Sequence, residues 1–405
     1  MKEELENILP TVKDKNQHAS LQNAIEIGIP TMKQEEWKYT YYNKILQQGF
    51  TPAIQIERKE IAKEFVEAHS ISKNKLVFVD GIFHDELSAL IYHPKINFWN
   101  QNNSAESNSS NFLIELNNAF SNNGIFLEIG DQVIADELIE IFYINTNTSN
   151  VINVKNKLKI GKNVQAKFAE YYLNYETQAT YINTVTEVDI AEQALLEWYK
   201  IQDAGDTSNI TDNLIVTQAK NSVCNCTTIT FTGKIIRNVS QFDVNGERAE
   251  THMNGLYLLL NEEHVDNRTL VKHNVANCES YELYKGILGG KSTGVFNGKI
   301  VVAQAAQKTN AFQSNRNILL SNDANIYTKP QLEIFADDVK CSHGATSSQI
   351  EDSELFYLQA RGIGKEAAKS LLVFAFGEEV IDKINYTPLK EKLEKRIAEL
   401  LKIEL

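Results

Sequence analysis

The fold class is decided by residues 164–201, VQAKFAEYYLNYETQATYINTVTEVDIAEQALLEWYKI. Three runs rich in Val, Ile, Tyr, Phe and Thr lie within this stretch, at 164–173, 180–188 and 194–201. Runs of this length and composition are typical of β-strands, and polar residues that favour turns separate them. The stretch therefore predicts consecutive strands with no helix between them.

The same pattern continues on both sides, from about residue 124 to 349. Further strands are predicted at 139–144, 227–232, 255–260, 295–303, 318–320 and 332–335. No amphipathic helix of ordinary length interrupts this region, so parallel sheets built from βαβ units are excluded. A sandwich, a barrel and a β-solenoid remain open, because no strict sequence repeat is visible to select the solenoid.

Helical signals dominate the two flanks. In the N-terminal flank we predict a helix that stops at Gly28, a helix at 61–68 and a helix at 112–120. A strand at 76–81 closes on an Asp-Gly turn, and the Asn/Ser-rich stretch 101–111 is predicted to be a loop. The chain thus divides into a helical N-terminal domain at 1–123, a β core at 124–350 and a helical C-terminal domain at 351–405.

The C-terminal domain contains three predicted helices, at 354–361, at 365–384 and from Thr387 onward, with Thr387 as N-cap and Pro388 in the first position. The second helix is apolar nearly all round between 371 and 376, so both of its sides should be covered. Either its own domain or a docked partner provides the cover, and the residues do not decide between the two.

Composition narrows the class of protein. The chain has 40 basic and 53 acidic residues, a net charge of −13, and 42% hydrophobic residues. These values exclude wholesale disorder and argue against nucleic acid as the main partner. The longest apolar run, 371–376, is far too short to span a membrane, and the acidic N-terminus does not resemble a signal peptide. With four cysteines and no disulfide framework, we expect a cytoplasmic protein.

No complete catalytic motif is present. The segment 286–294, GILGGKSTG, imitates a phosphate-binding loop but lacks its spacing, so we interpret it as a β-turn. His252, His264 and His273 would meet if they stacked in successive coils of a solenoid, although buried histidines that satisfy turn carbonyls are the simpler interpretation.

The cysteines offer two candidate metal sites. Cys224 and Cys226 share one face of a strand, but without a second ligand pair they are better explained as small buried hydrophobes, and we assign Cys278 the same role. In the second site, Cys341 and His343 also share a face if the chain is extended there. Two ligands cannot close a tetrahedral site, so the remaining ligands would have to come from elsewhere, with another subunit as one source. A purely structural role for the pair is the simpler interpretation of these residues alone.

Ordered motifs occur along essentially the whole chain. They are GIPT at 28–31, EWKYT at 36–40, HVDN at 264–267, NC at 277–278, ELYKG at 282–286, GVFNGK at 294–299, QKT at 307–309, QSNRN at 313–317, KPQLEI at 329–334, DDVKCSHGAT at 337–346 and RGI at 361–363. Together these motifs resemble a single family, the SufB/SufD scaffold proteins of the SUF iron–sulfur cluster assembly system, and its SufD members most closely.

This resemblance implies a mostly β fold, a right-handed parallel β-helix core with helical N- and C-terminal domains. It implies a non-catalytic subunit that pairs with SufB and docks the ABC-type ATPase SufC. In this family a transient iron–sulfur cluster forms at the SufB–SufD interface, and the isolated chain should bind none tightly. The resemblance leaves open whether the isolated chain homodimerises through the same face, which an open β-helix edge would favour.

The resemblance also assigns residues. His343 matches the histidine proposed to ligate the cluster, and Cys341 matches its neighbouring cysteine. Asn315 stands where SufB members carry the essential thiol, which favours the SufD branch. The apolar helix implies a SufC docking surface at Leu371, Leu372, Phe374 and Phe376.

Two other classes of protein stay as alternatives. A polysaccharide-cleaving β-helix enzyme would use Asp266, Arg268 and Lys272 along a groove, although the lack of a secretion signal weighs against it. A zinc-dependent binding module would use Cys224 and Cys226.

Overall fold

The computed structural model describes residues 5–7, 9–48, 51–52, 58–100, 109–121, 123–147, 150–175 and 179–403. Most of the predicted loop at 101–111 lies outside the described residues. Within the described part of the chain, no helix is long and apolar enough to cross a membrane.

In the described part of the chain, twenty strands form two long sheets. They are β1 Thr51–Pro52, β2 Asn74–Val79, β3 Ile82–Phe83, β4 Ile96–Asn100, β5 Ile125–Ile129, β6 Ile139–Asn145, β7 Asn150–Ile160, β8 Gln165–Asn174, β9 Thr180–Ile190, β10 Leu195–Asp203, β11 Ser208–Gln218, β12 Val223–Thr232, β13 Ile235–Val244, β14 Glu250–Leu259, β15 His264–His273, β16 Glu279–Leu288, β17 Thr293–Val302, β18 Asn310–Leu319, β19 Asn325–Ile334 and β20 Lys340–Ser348.

Helices flank the strands at both ends of the chain. They are α1 Lys15–Ile27, α2 Asn43–Leu46, α3 Lys59–His69, α4 Phe112–Phe120, α5 Asp352–Gln359, α6 Lys365–Ile381 and α7 Thr387–Leu401, with short 3-10 turns at Leu9–Thr11, Glu35–Trp37 and Asp85–Leu87. The predicted stop of α1 is confirmed, since Gly28 follows it with a φ of 79°. The predicted cap of α7 is wrong by one residue, because Tyr386 is the N-cap and Thr387 is already helical.

Strands alternate between the two sheets as the chain advances. Sheet A has the order β19-β17-β15-β13-β11-β9-β7-β5-β4, and sheet B has the order β20-β18-β16-β14-β12-β10-β8-β6-β2-β3. Within the set β5 to β20 all paired strands are parallel, and the sheets coil about seven times around one lumen. The fold is therefore a parallel β-solenoid with helices at both ends, as the resemblance implied. β2 and β4 belong to these sheets although they precede residue 124 in the chain.

The two ends of the solenoid differ. At the first coils, the antiparallel strands β3 and β4 terminate sheets B and A. At the last coil, β20 pairs in the described chain with β18 alone, and eight of its nine residues are exposed. An uncapped strand presents free backbone N–H and C=O groups to any strand that approaches. The edge of β20 is therefore left unpaired at the last coil of the described chain, and we call this the open end of the solenoid.

Among the described residues, buried apolar side chains form three clusters. The largest fills the lumen between the sheets. The second joins the outer face of sheet B to α3, α6 and α7. The third packs the N-terminal helices on the outer face of sheet A.

The lumen also contains ionisable groups. Lys200 forms an ion pair with Asp212, and Glu170 accepts a hydrogen bond from Trp198 Nε1 at 3.0 Å. All three of these charged side chains are inaccessible to solvent, and burial raises the pKa of Glu170 to about 7 although Lys200 opposes the shift. Each polar group in the lumen therefore depends on partners from neighbouring strands.

Candidate cluster site at the open end of the solenoid

Cys341 and His343 lie on β20, the last strand of sheet B. β20 pairs with β18 so that Cys341 lies opposite Ala311 and His343 opposite Gln313. Ala311 and Gln313 are buried, and Cys341 packs against the apolar cluster of the lumen. Paired residues on neighbouring parallel strands point to the same face of the sheet, so both candidate ligands lie on the lumen face of β20.

The two side chains differ in exposure. His343 is exposed, whereas Cys341 is half-buried. Burial raises the pKa of the Cys341 thiol, and a backbone N–H of Ala311 only partly offsets this. Cys341 is therefore a neutral thiol in the isolated chain, and it becomes a good metal ligand only when a metal displaces its proton.

Asn315 lies on β18, the strand that pairs with β20, and its side chain is inside the lumen and inaccessible to solvent. Its Nδ2 donates to the backbone oxygen of Tyr284 at 3.2 Å and to Tyr257 Oη at 3.3 Å. Its Oδ1 accepts a hydrogen bond from Asn317 Nδ2 at 2.8 Å. The amide of Asn315 is therefore held by hydrogen bonds inside the lumen, and it is not a thiolate that could bind a cluster.

The other cysteines lie deeper in the solenoid. Cys224, Cys226 and Cys278 are buried and belong to the cluster that fills the lumen. Burial raises the pKa of Cys224 and Cys278, and it raises the pKa of Cys226 to about 12. Among the described residues, no group of three or more His, Cys, Asp or Glu side chains is arranged to hold a metal.

The three histidines singled out in the sequence do not meet. His252 stacks on Tyr281 on the outer face of sheet B, with 5.2 Å between the ring centroids. His264 lies 2.9 Å from Thr40 Oγ1, and His273 is buried 2.9 Å from Ser280 Oγ. The idea of histidines stacked in successive coils is therefore wrong, because His264 and His273 belong to sheet A and His252 to sheet B.

Two sequence motifs come together on the outer face of sheet A. Asp266 is buried, forms ion pairs with Arg237 and Arg268, and accepts a hydrogen bond from Thr40 Oγ1 at 2.7 Å. The Trp37 ring covers Arg237 at 3.7 Å. The EWKYT and HVDN motifs thus form one anchor that holds the N-terminal segment to the solenoid.

This anchor occupies the residues that a polysaccharide-cleaving groove would need. Asp266 and Arg268 are held by the buried ion pairs, and Lys272 pairs with Asp243 at 3.2 Å. The segment 286–294 also has a structural role, because Gly289 and Gly290 form the turn between β16 and β17. Gly290 has a φ of 55°, and a Cβ there would collide with the backbone of Leu260 and Asn261.

Helix α6 packs on the outer face of sheet B. Val373, Gly377 and Val380 are buried, and Gly377 allows the helix to approach Leu256 of β14. Of the four predicted docking residues, Phe374 and Phe376 pack partly against the cluster of sheet B, Leu372 is half-buried, and Leu371 is 38% exposed. The solenoid and α7 therefore provide much of the cover that the sequence required for this helix.

Sequence analysis missed the apolar surface of α5. Phe356 and Tyr357 are 71% and 56% exposed, and α5 has no buried residue. The guanidinium of Arg361 lies 4.5 Å from the centroid of the Tyr357 ring. The adjacent pair of aromatic residues in 354–361 was a signal for this surface, but residue types alone do not show whether so short a helix faces a core or solvent.

The geometry defines a class of protein, a parallel β-solenoid whose last described strand has an unpaired edge and carries a cysteine and a histidine two residues apart. Residues 142–376 match the family described as SUF system FeS cluster assembly, SufBD core domain. The chain belongs to this SufBD family of iron–sulfur cluster assembly proteins, and it is thus a subunit of a SUF complex.

Individual relatives agree with the family match. The chain is 28% identical to the iron–sulfur cluster assembly protein SufD of Escherichia coli over 94% of this chain and 91% of that protein. It is 29% identical to a SufBD family protein of Synechocystis over 92% of this chain and 87% of that protein. A shorter similarity, 33% over 54% of this chain and 46% of the relative, links it to the chloroplastic protein ABCI7 of Arabidopsis thaliana.

Proposed function

We propose that this chain is the SufD-type, non-catalytic scaffold subunit of a SUF complex, and that it pairs with a SufB paralogue through the open end of its solenoid. The observation that carries the proposal is β20, an uncapped edge strand that bears Cys341 and His343 on its lumen face. A second solenoid that continued the sheets would satisfy the free backbone groups of this strand. The pairing would also bring the partner's residues against these two ligands.

The chemistry of the ligands supports a shared, transient cluster as cargo. A neutral imidazole and a thiol are ligands that iron accepts, but two donors leave an iron site incomplete. Asn315 cannot complete it, because its amide is bonded within the lumen. The paralogue supplies the missing thiolate in this proposal, and the isolated chain binds no cluster tightly.

We also propose that the C-terminal helices dock the SufC ATPase. Leu371 of α6 and the exposed aromatic residues of α5 provide an apolar surface for it. Helix α6 is connected to the solenoid by Lys285, which donates to the backbone oxygen of Phe376 at 2.9 Å and forms an ion pair with Glu379. Movement of a docked ATPase would therefore reach β16, two strands away from β20 in sheet B.

Affinity purification of the tagged chain from its host under anaerobic conditions tests this proposal. We expect an ABC-type ATPase and a cysteine-bearing paralogue to co-purify with the wild-type chain. The substitution Leu371→Asp should lower the recovery of the ATPase about tenfold or more, because it places a charge in the apolar surface, and should leave the paralogue bound.

A matched control for this substitution is Ile134→Asp, which changes an aliphatic residue that is 62% exposed at the opposite end of the solenoid. This variant should recover both partners at the wild-type level. Recovery of the wild-type chain alone would contradict the proposed function. Full recovery of the ATPase by Leu371→Asp would contradict the docking surface but not the scaffold.

A further inference from the structure

Three residues that lie opposite one another on neighbouring strands of sheet B form a row, which leads from the open end into the lumen. Glu282 of β16 lies opposite Gln313 of β18, which lies opposite His343 of β20. Glu282 and Gln313 are each only 3% exposed. The row therefore places two buried polar side chains directly beneath the exposed imidazole.

The orientation of the Gln313 amide is fixed by its neighbours. Its Nε2 donates to Glu282 Oε2 at 3.0 Å, and the same carboxylate oxygen accepts a hydrogen bond from Thr269 Oγ1 at 2.6 Å. Gly298 leaves the space for this amide, since a Cβ at that position would collide with Gln313 Nε2. While Glu282 is ionised and can only accept hydrogen bonds, the amide oxygen, Oε1, is therefore the atom that stays free.

Gln313 Oε1 is buried and has no hydrogen-bond partner among the described residues. A buried carbonyl oxygen without a donor loses the free energy of a hydrogen bond, so such an atom calls for an explanation. The donor it lacks is available on the adjacent strand, because an imidazole that binds metal through one nitrogen retains an N–H on the other. Histidine ligands almost always donate that N–H to an oxygen acceptor.

We propose that Gln313 is the positioning residue for His343, and that its Oε1 accepts the ring N–H of His343 when this imidazole holds the nascent cluster. The inference rests on the proposed function and deepens it. Glu282 acts through Gln313 by holding the amide in the correct orientation. Neighbouring strands lie about 4.8 Å apart, so Glu282 is two spacings from His343 and beyond direct reach along the row.

Asn315, the next inward-facing residue of β18, does not offer an alternative acceptor. Its Oδ1 already accepts a hydrogen bond from Asn317 at 2.8 Å. The side chains of Asn315 and Asn317 are both buried from solvent. Gln313 is thus the acceptor in β18 that is both free and opposite His343.

The test uses the complex of this chain with its paralogue and the ATPase, loaded anaerobically with iron and sulfide. Gln313→Leu removes the acceptor and puts an apolar side chain of similar size in its place. We expect this variant to lose its cluster to a chelator about tenfold faster than the wild type, the usual effect of removing a hydrogen bond to a ligand. Thr269→Val is the control, because it removes a hydrogen bond from the same carboxylate but leaves Gln313 Oε1 in place.

Pulsed electron paramagnetic resonance of the reduced cluster supplies a readout that packing alone would not change. The coupling of the nitrogen of His343 that does not bind metal depends on its hydrogen bond. We expect this coupling to change in Gln313→Leu and to match the wild type in Thr269→Val.

Three results separate the possible failures. An unchanged coupling in Gln313→Leu, with a rate of cluster loss equal to that of the wild type, would overturn the positioning role. Equal acceleration in both variants with unchanged couplings would also overturn it, because the effect would then arise from packing. Absence of any histidine coupling in the wild-type complex would overturn the ligand role of His343 itself, and with it the proposed cluster site.

Discussion

The substitution Asp266→Ala is expected to lower the free energy of unfolding by about 3–5 kcal/mol, the usual cost of removing one partner of a buried ion pair. It would leave the guanidinium of Arg237 buried with its main counter-ion gone. Burial disfavours the charged form of Asp266, but Arg237 and Arg268 outweigh it and hold the pKa of this carboxyl below its usual value. Urea denaturation followed by circular dichroism measures the loss.

Asp243→Ala is the matched control for this substitution. Asp243 also lies on the outer face of sheet A, and it pairs with Lys272 at 3.2 Å, but both side chains are partly exposed to solvent. An ion pair of this kind contributes about 0–1 kcal/mol, so the control should unfold at nearly the wild-type urea concentration. Equal unfolding midpoints for the two variants would refute the anchor formed by Asp266, Arg237 and Thr40.

The substitution Glu282→Gln is expected to stabilise the protein above neutral pH. Burial raises the pKa of Glu282 from 4.5 to about 7, and hydrogen bonds from Thr269 and Gln313 only partly oppose this. The folded state therefore binds more protons than the unfolded state between these two values, and this carboxyl makes the wild-type protein less stable as the pH rises through that window. A pKa difference of this size corresponds to about 3 kcal/mol.

Glutamine cannot ionise, yet its side-chain oxygen can accept the same hydrogen bonds. The stability advantage of Glu282→Gln over the wild type should therefore be near zero at pH 4.5, grow up to about pH 7 and then level off near 3 kcal/mol. Urea denaturation of both proteins at several pH values measures this difference. A difference that stays constant with pH would show that Glu282 has the same pKa in the folded and unfolded states.

Residue types predicted many of the strands but did not predict that they form a solenoid. Seven turns carry a residue with a left-handed backbone at positions spaced 27–31 residues apart, and this is the period of the coil. The positions are Gln132, Asn163, Gln193, Asn221, Arg248, Asn277 and Lys308. The backbone conformation repeats while the residue type changes, so no sequence repeat is visible.

Buried polar residues prevented the prediction of several strands. β11, with the sequence SNITDNLIVTQ, was not predicted because Asp212 and Asn213 interrupt its apolar pattern. Both are buried, and Asp212 is paired with Lys200 from the facing sheet. A strand whose polar groups are satisfied by neighbouring coils cannot be recognised from its own residues alone.

Only part of the candidate site could be predicted from the sequence. The spacing of Cys341 and His343 in an extended segment was enough to place them on one face. Gln313 and Glu282 precede His343 by 30 and 61 residues, and only the register of β16, β18 and β20 aligns them. Likewise, Thr40 meets Asp266 through a contact between residues 226 positions apart.

The amount of cluster bound by the His343→Ala complex tests the central claim most directly. The complex with the paralogue and the ATPase would be loaded anaerobically, and its iron and acid-labile sulfide would be measured beside the wild type and His252→Ala. His252 is the control, because it lies on the outer face of the same sheet, stacked on Tyr281. We predict that His343→Ala retains the assembled complex but loses its cluster by about tenfold or more, while His252→Ala keeps the wild-type content. A full cluster content in the His343→Ala complex would contradict the assignment of the open end of the solenoid as the site of cluster assembly.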